Sequence, residues 1–187
     1  MFVKILLISV LVSIISGEKC RDDVKPMENY SLKERSGTWS LGAVKISEES
    51  DRKRWGALRC SNLTLDVDDN GEPIGWRLAL YVGDRKAKPN GTYSIPDPKK
   101  GLIKFDFTPK NSTYDFITAC SDYKTYSIDY VCLQASADEI SEFSNIFVRD
   151  INELDTVLAN PEFQKCYSEF FDRPVEEYFM RVPFNNC

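Results

Sequence analysis

Arg35-Ser36-Gly37-Thr38-Trp39-Ser40-Leu41 opens the first extended run of the chain. A turn glycine followed by Thr-Trp sets a large indole at the very start of a strand, where it has to be buried. Far downstream, Asn145-Ile146-Phe147-Val148-Arg149 reads as a strand ending in an arginine, whose planar guanidinium can lie flat on an indole face. Brought together, Trp39 and Arg149 would close one end of a barrel.

Between these two points the chain supplies a wall. Short runs rich in β-branched and aromatic residues are predicted as strands over 38–46, 58–67, 74–82, 91–95, 101–108, 112–121, 126–133 and 142–149. Turn chemistry separates them: Asp69-Asn70-Gly71, Pro89-Asn90-Gly91, Pro96-Asp97-Pro98 and Thr108-Pro109-Lys110-Asn111. Residues 47–54 read as a long polar loop, too charged to be buried, and no helix is expected between strands. An antiparallel meander of this size manages its edges best by closing, so the fold expected is all-β, an eight-stranded antiparallel up-and-down β-barrel. Such a barrel holds one small ligand at most. After Arg149 the pattern changes. Ile151, Leu154, Val157 and Leu158 recur at helical spacing, and Asn160-Pro161 starts a further helix carrying Phe163, Cys166, Tyr167 and Phe170. This C-terminal helical segment would pack outside the barrel, followed by a short extended piece over 178–182.

Composition agrees with one globular unit: 187 residues, 42% hydrophobic and 28% charged. Residues 1–17 have the form of a secretory signal peptide, with Lys4, an apolar run from Ile5 to Ile15 and the small residue Gly17. The run is too short to span a membrane. The expected domain is therefore 18–187, secreted and extracellular. The 6 cysteines fit three disulfides of an oxidising compartment, and four acceptor motifs for glycosylation, at Asn29, Asn62, Asn90 and Asn111, point the same way. The net charge of -5 argues against nucleic acid or an anionic membrane as partner. The chain contains 0 histidines, which removes Ser-His-Asp and Cys-His catalysis and histidine-ligated zinc or haem.

Gly37-Thr38-Trp39, the variant Ser121-Asp122-Tyr123 of a usual Thr-Asp-Tyr, and Arg149 closing the last strand resemble, in order and spacing, the three motifs of the lipocalins. The arm from Cys20 to Tyr30 leading into the first motif looks most like the bilin-binding protein, insecticyanin and apolipoprotein D branch. The resemblance implies a disulfide between Cys20 and Cys132 and another between Cys60 and Cys187. Cys120 and Cys166 remain for each other, similar to a third bridge in crustacyanin subunits.

It also implies a ligand site inside the barrel. With Arg149 directed to Trp39 and Cys132 directed outward to the arm, strand alternation puts Phe143, Asn145 and Phe147 inside, together with Asp129, Val131 and Leu133. Ile103, Phe105 and Phe107 form the apolar parity set of the fifth strand, and Tyr114, Phe116 and Thr118 are chosen for the sixth. Asn145 and Asp129 are the candidate polar groups. The alternative is that these aromatics only fill a core.

A carrier of a small lipophilic molecule is the function the resemblance implies: a bilin, carotenoid, retinoid or fatty-acid-like ligand. No cofactor is required, and the branch points to a bound biliverdin-like or carotenoid chromophore. Oligomerisation is left open. Two other classes stand beside the carrier. One is a protein-binding inhibitor acting through its loops, as in salivary lipocalins. The other is a lipocalin-type isomerase, which needs a free cavity cysteine that a fully paired framework does not leave. Trp39 and Arg149 are structural on this reading, and no catalytic or metal-binding residue is expected.

Overall fold

A computed structural model describes residues 20–46, 49–107, 112–134 and 140–187. The stretch read as a signal peptide and the acceptor Asn111 lie outside the described residues, as do the side chains of Phe107 and Leu133.

The arm runs beneath the barrel and is held by backbone bonds, Met27 N–H to the Thr118 carbonyl (2.9 Å) and Tyr30 N–H to the Lys99 carbonyl (3.0 Å). Ser31 then caps a single helical turn, α1 (Leu32–Arg35), by accepting from the Glu34 N–H. Strand β1 (Gly37–Ile46) follows directly, so that Arg35 is delivered into the barrel rather than to solvent.

The wall is a meander. β1 pairs with β2 (Leu58–Val67), β2 with β3 (Pro73–Val82), and on the far side β7 (Leu102–Phe107), β8 (Ser112–Ser121), β9 (Tyr126–Gln134) and β10 (Ile140–Val148) pair in sequence, β10 returning to β1. The fourth strand of the meander is broken into β4 (Arg85–Ala87), β5 (Asn90–Gly91) and β6 (Tyr93–Ser94). β4 and β5 pair with β3, β6 pairs with β7, and the Asp106 N–H donates to the Thr92 carbonyl (2.9 Å), which completes the barrel. Only Gly fits at position 91: a Cβ there would run into the Asp106 carbonyl and the Trp76 indole. The sequence reading missed β4, because Arg85-Lys86-Ala87 has no apolar alternation.

A second difference lies between β1 and β2. Residues 49–55 form a helix, α2 (Glu49–Trp55), where a polar loop was expected. Polarity alone does not prevent a helix; the segment has neither Gly nor Pro, and Glu49 pairs with Lys53 one turn on at 3.2 Å. Trp55 at its end turns back to the barrel, its ring 6.5 Å from that of Phe143, edge to face.

β1 and β2 stay together only from Gly37 to Ser40. Beyond this both strands are bulged, β1 at Gly42 and β2 next to Cys60, whose φ is 52°. The C-terminal strand β11 (Met180–Arg181) occupies the gap, pairing with Ala43 and Val44. The Val182 N–H donates to the Gly42 carbonyl and the Cys60 N–H to the Pro183 carbonyl, at 3.0 and 2.8 Å. Met180, Val182 and Phe184 all pack on the interior cluster, so the C-terminal segment is part of the wall. The Cys60–Cys187 disulfide fastens it to β2.

The outer face of β1, β9 and β10 (Ala43, Tyr126, Ile128, Ile146, Val148) is covered by the helical segment. That segment comprises a 3-10 turn (Ile151–Glu153), α3 (Leu154–Leu158), α4 (Pro161–Tyr167) and α5 (Val175–Tyr178). Gly42 has a second duty here, since a Cβ would come within 2.6 Å of a Leu154 methyl. Cys120–Cys166 clips α4 to β8, and Cys20–Cys132 ties the arm to β9. No helix among the described residues is long and apolar enough to cross a membrane.

Candidate functional site at the barrel interior

The closed end is built around Trp39, which is fully buried. The Arg149 guanidinium lies 3.7 Å from its ring centroid, as the sequence reading expected, and donates to the carbonyls of Thr38 (3.2 Å), Glu34 (2.9 Å) and Tyr123 (3.4 Å). Partial burial and the nearby Arg35 cation bring its pKa down to about 10. A second guanidinium, Arg35, also reaches the indole, at 4.3 Å, and its backbone carbonyl accepts from the indole N–H at 2.7 Å.

Arg35 is 0% exposed and makes an ion pair with Asp129, also 0% exposed, at 2.9 Å. This gives Asp129 a structural partner where the sequence reading offered it as a polar group for a ligand. A carboxylate on the inner face of an apolar barrel requires a cation, and α1 supplies one. Burial still pushes the Asp129 carboxyl above the ordinary range, against the pull of Arg35 and of the Thr118 and Ser127 hydroxyls. Those hydroxyls lie alongside the carboxylate without good hydrogen-bond geometry to it. The Tyr30 phenol completes the floor, and its burial raises its pKa well beyond the usual value.

Above the floor, several of the described residues that alternation sets inward pack together. Ile103, Phe105, Phe116 and Phe147 are buried in one cluster with Trp76 and Tyr93. Their rings touch in a chain: Trp76 stacks on Phe105 (5.3 Å), Phe105 meets Phe116 (5.0 Å), and Phe116 meets Phe147 (6.4 Å). Asn145 is buried between Phe143 and Phe147 on the same face of β10.

Toward the open end the inner surface changes character. Tyr114, Val131, Phe143 and Val82 also pack on the interior cluster, yet each stays partly exposed. Trp55 and Phe184 complete this upper ring. Beside it, a half-open cavity of about 290 Å³ lies between the end of β1 and the C-terminal segment, lined by Val44, Ile46, Met180 and Phe179 with Arg52 and Glu177 at its sides.

Lys104 and Asp115 pair on the outer wall at 2.7 Å, which agrees with their assignment to the outside. Of the acceptor asparagines, Asn29 and Asn90 are exposed, and Asn62 is half-buried, accepting from the Ser40 hydroxyl at 2.8 Å. The sequence reading missed Arg35 and Trp55. Arg35 could have been found from its place just before the Gly37-Thr38-Trp39 motif, within reach of the indole, and Trp55 from being a large aromatic at the end of a polar run.

No family model matches the sequence, and no curated protein matches it. Among solved structures, insecticyanin from the tobacco hornworm Manduca sexta is similar over 90% of this chain and 87% of that one, with a TM-score of 0.65 and 21% identity. The siderocalin Ex-FABP, described as having dual ligand specificities, aligns over 82% of this chain and 97% of its own, with a TM-score of 0.62 and 13% identity. The cockroach allergen Per a 4 aligns over 87% and 94%, with a TM-score of 0.63 and 17% identity. All three are lipocalins. The meander closed through a broken fourth strand, the floor at Trp39 and Arg149 and these likenesses together show that the chain has the lipocalin fold.

Proposed function

We propose that this protein is a secreted carrier that holds a small lipophilic molecule in the upper half of its barrel. The observation that carries the reading is the change along the inner wall, from mutually buried rings around Phe116 to the partly exposed Tyr114, Val131, Phe143 and Val82. A preformed apolar cup with few polar groups is the general form of such sites. Aromatic edges and faces in that cup suit a flat conjugated ligand, a bilin or polyene chromophore among them.

Binding rather than catalysis is supported by chemistry. All six cysteines are in disulfides, so no thiolate is available in the cavity. The barrel's buried carboxylate is already paired with Arg35. The packed lower half also favours, as a second reading, a loop-acting protein inhibitor with a closed interior.

Protein purified from its natural source should carry an absorption band beyond the aromatic region, or bind a neutral fluorescent probe such as Nile red with a one-to-one stoichiometry. A colourless protein that takes up no probe would favour the inhibitor.

A further inference from the structure

The net charge of the chain is -5, but basic residues cluster at one side of the open end. α2 with the start of β2 and the β3–β4 hairpin lie side by side at the open end: Gly83 N–H donates to the Ala57 carbonyl (3.0 Å), and Leu58 pairs with Val82, Arg59 with Tyr81, Tyr81 with Lys86 and Val82 with Arg85. This gathers Arg52, Lys53, Arg59, Arg85, Lys86 and Lys88, all but Arg59 exposed, with Arg52 also donating to the Ile46 carbonyl at 2.8 Å. Among the described side chains of 49–59 and 83–88, only Glu49 and Asp84 are acidic; Glu177 shares the cavity beside Arg52, and the Tyr81 hydroxyl donates to the Cys187 oxygen at 3.0 Å. Tyr81 sits within the patch, 4.3 Å from the Arg59 guanidinium and 5.0 Å from the Lys86 ammonium. The neighbouring Lys86 first, with the charges of Arg59 and Lys88, holds its phenol below the ordinary pKa, as a positive local field requires. At the closed end the β2–β3 turn is the reverse, with Asp68, Asp69 and Glu72 exposed.

We propose that the basic side of the mouth is a docking surface for an anionic lipid headgroup layer, which presents the open end of the barrel to a membrane. The local positive potential of this cluster turns that side of the mouth toward a negative surface. A lipophilic molecule could then pass between bilayer and cup without crossing water; this purpose rests on the carrier reading, although the docking surface does not. Local charge governs such contact, because fields from exposed groups fade within a Debye length, about 8 Å at physiological salt.

The test uses phosphatidylcholine vesicles with and without phosphatidylserine. The protein should sediment with phosphatidylserine vesicles at low salt, detach as salt rises, and ignore pure phosphatidylcholine. Arg85→Glu with Lys86→Glu should weaken binding at least about tenfold. Lys99→Glu with Lys100→Glu, the same change in net charge at the closed end, should leave it within about threefold of wild type. Equal losses in both double variants would overturn the proposal in favour of a net-charge effect. Retention on immobilised heparin without vesicle binding would overturn it in favour of a sulfated polysaccharide. Nile red titration without vesicles reports separately on the cup: wild type that binds vesicles but no probe retains the docking surface and loses the carrier.

Discussion

Arg35 donates to the Asp129 carboxylate at 2.9 Å with neither side chain exposed to water. An ion pair so placed does not by itself stabilise a fold, since both ions lose their hydration. What it does is commit each partner to the other. Removing one leaves an uncompensated charge on the barrel floor, so Arg35→Ala or Asp129→Ala alone should cost about 3–5 kcal/mol. The double variant Arg35→Met with Asp129→Leu should be far less damaged than the sum of the two. Urea unfolding of all three, read as a double-mutant cycle, checks this; additive losses would show the pair to be uncoupled.

Arg149 is the closer of the two cations on Trp39, at 3.7 Å against 4.3 Å, but unlike Arg35 it is partly exposed. Arg149→Ala should lower the melting temperature by about 2–8 °C, from about 1–2 kcal/mol of cation–π and hydrogen-bond contact. Affinity for a lipophilic probe in the folded fraction should stay close to wild type, because Arg149 lies beyond the floor. Scanning calorimetry with probe titration at a temperature well below the transition separates the two effects.

Asp122 supplies the pH dependence of the closed end. Burial pushes its carboxyl up, but the Thr125 hydroxyl and the N–H groups of Tyr126, Thr125 and Lys124 outweigh burial and hold its pKa below the usual value. A depressed carboxylate contributes stability above its unfolded pKa of about 3.9 that is lost as pH falls through its folded pKa. Asp122→Asn should therefore be less stable at neutral pH and show a shallower decline below about pH 4. Equal acid limbs for wild type and variant would remove Asp122 from the account.

Much of this could be read from the chain, and the exceptions share a cause. Strand periodicity located β2 and β8 to the residue, and the inside and outside of β7 to β10 followed from alternation. Charged residues were the failure. Arg35 is given no role from the sequence, because an arginine beside Gly37 is ordinarily solvated, and only the tertiary placement of α1 under Asp129 buries it. The same habit makes residues 47–54 a loop and leaves Asp129 as a ligand group. The split of β1 from β2 was also out of reach, since nothing local in residues 180–184 says that they replace a wall strand.

That split gives the disulfide Cys60–Cys187 a definite mechanical role. Cys187→Ser should free the C-terminal segment from its seam, with faster amide exchange at Met180, Val182 and Ala43 and a stability loss of about 2–4 kcal/mol. Peptide mapping without reduction should recover Cys20–Cys132, Cys60–Cys187 and Cys120–Cys166 and no other links.

The central claim, an apolar cup in the upper half of the barrel, meets its most direct test in a Nile red titration of Val131→Asp, Phe143→Asp and Lys104→Ala, with circular dichroism confirming that each is folded. A carboxylate on the inner wall opposes a nonpolar ligand through its own desolvation, so Val131→Asp and Phe143→Asp should each weaken binding by at least about tenfold. Lys104, paired with Asp115 on the outer wall, should be silent when truncated. Wild-type affinity in both aspartate variants, with loss in Lys104→Ala, would contradict the claim.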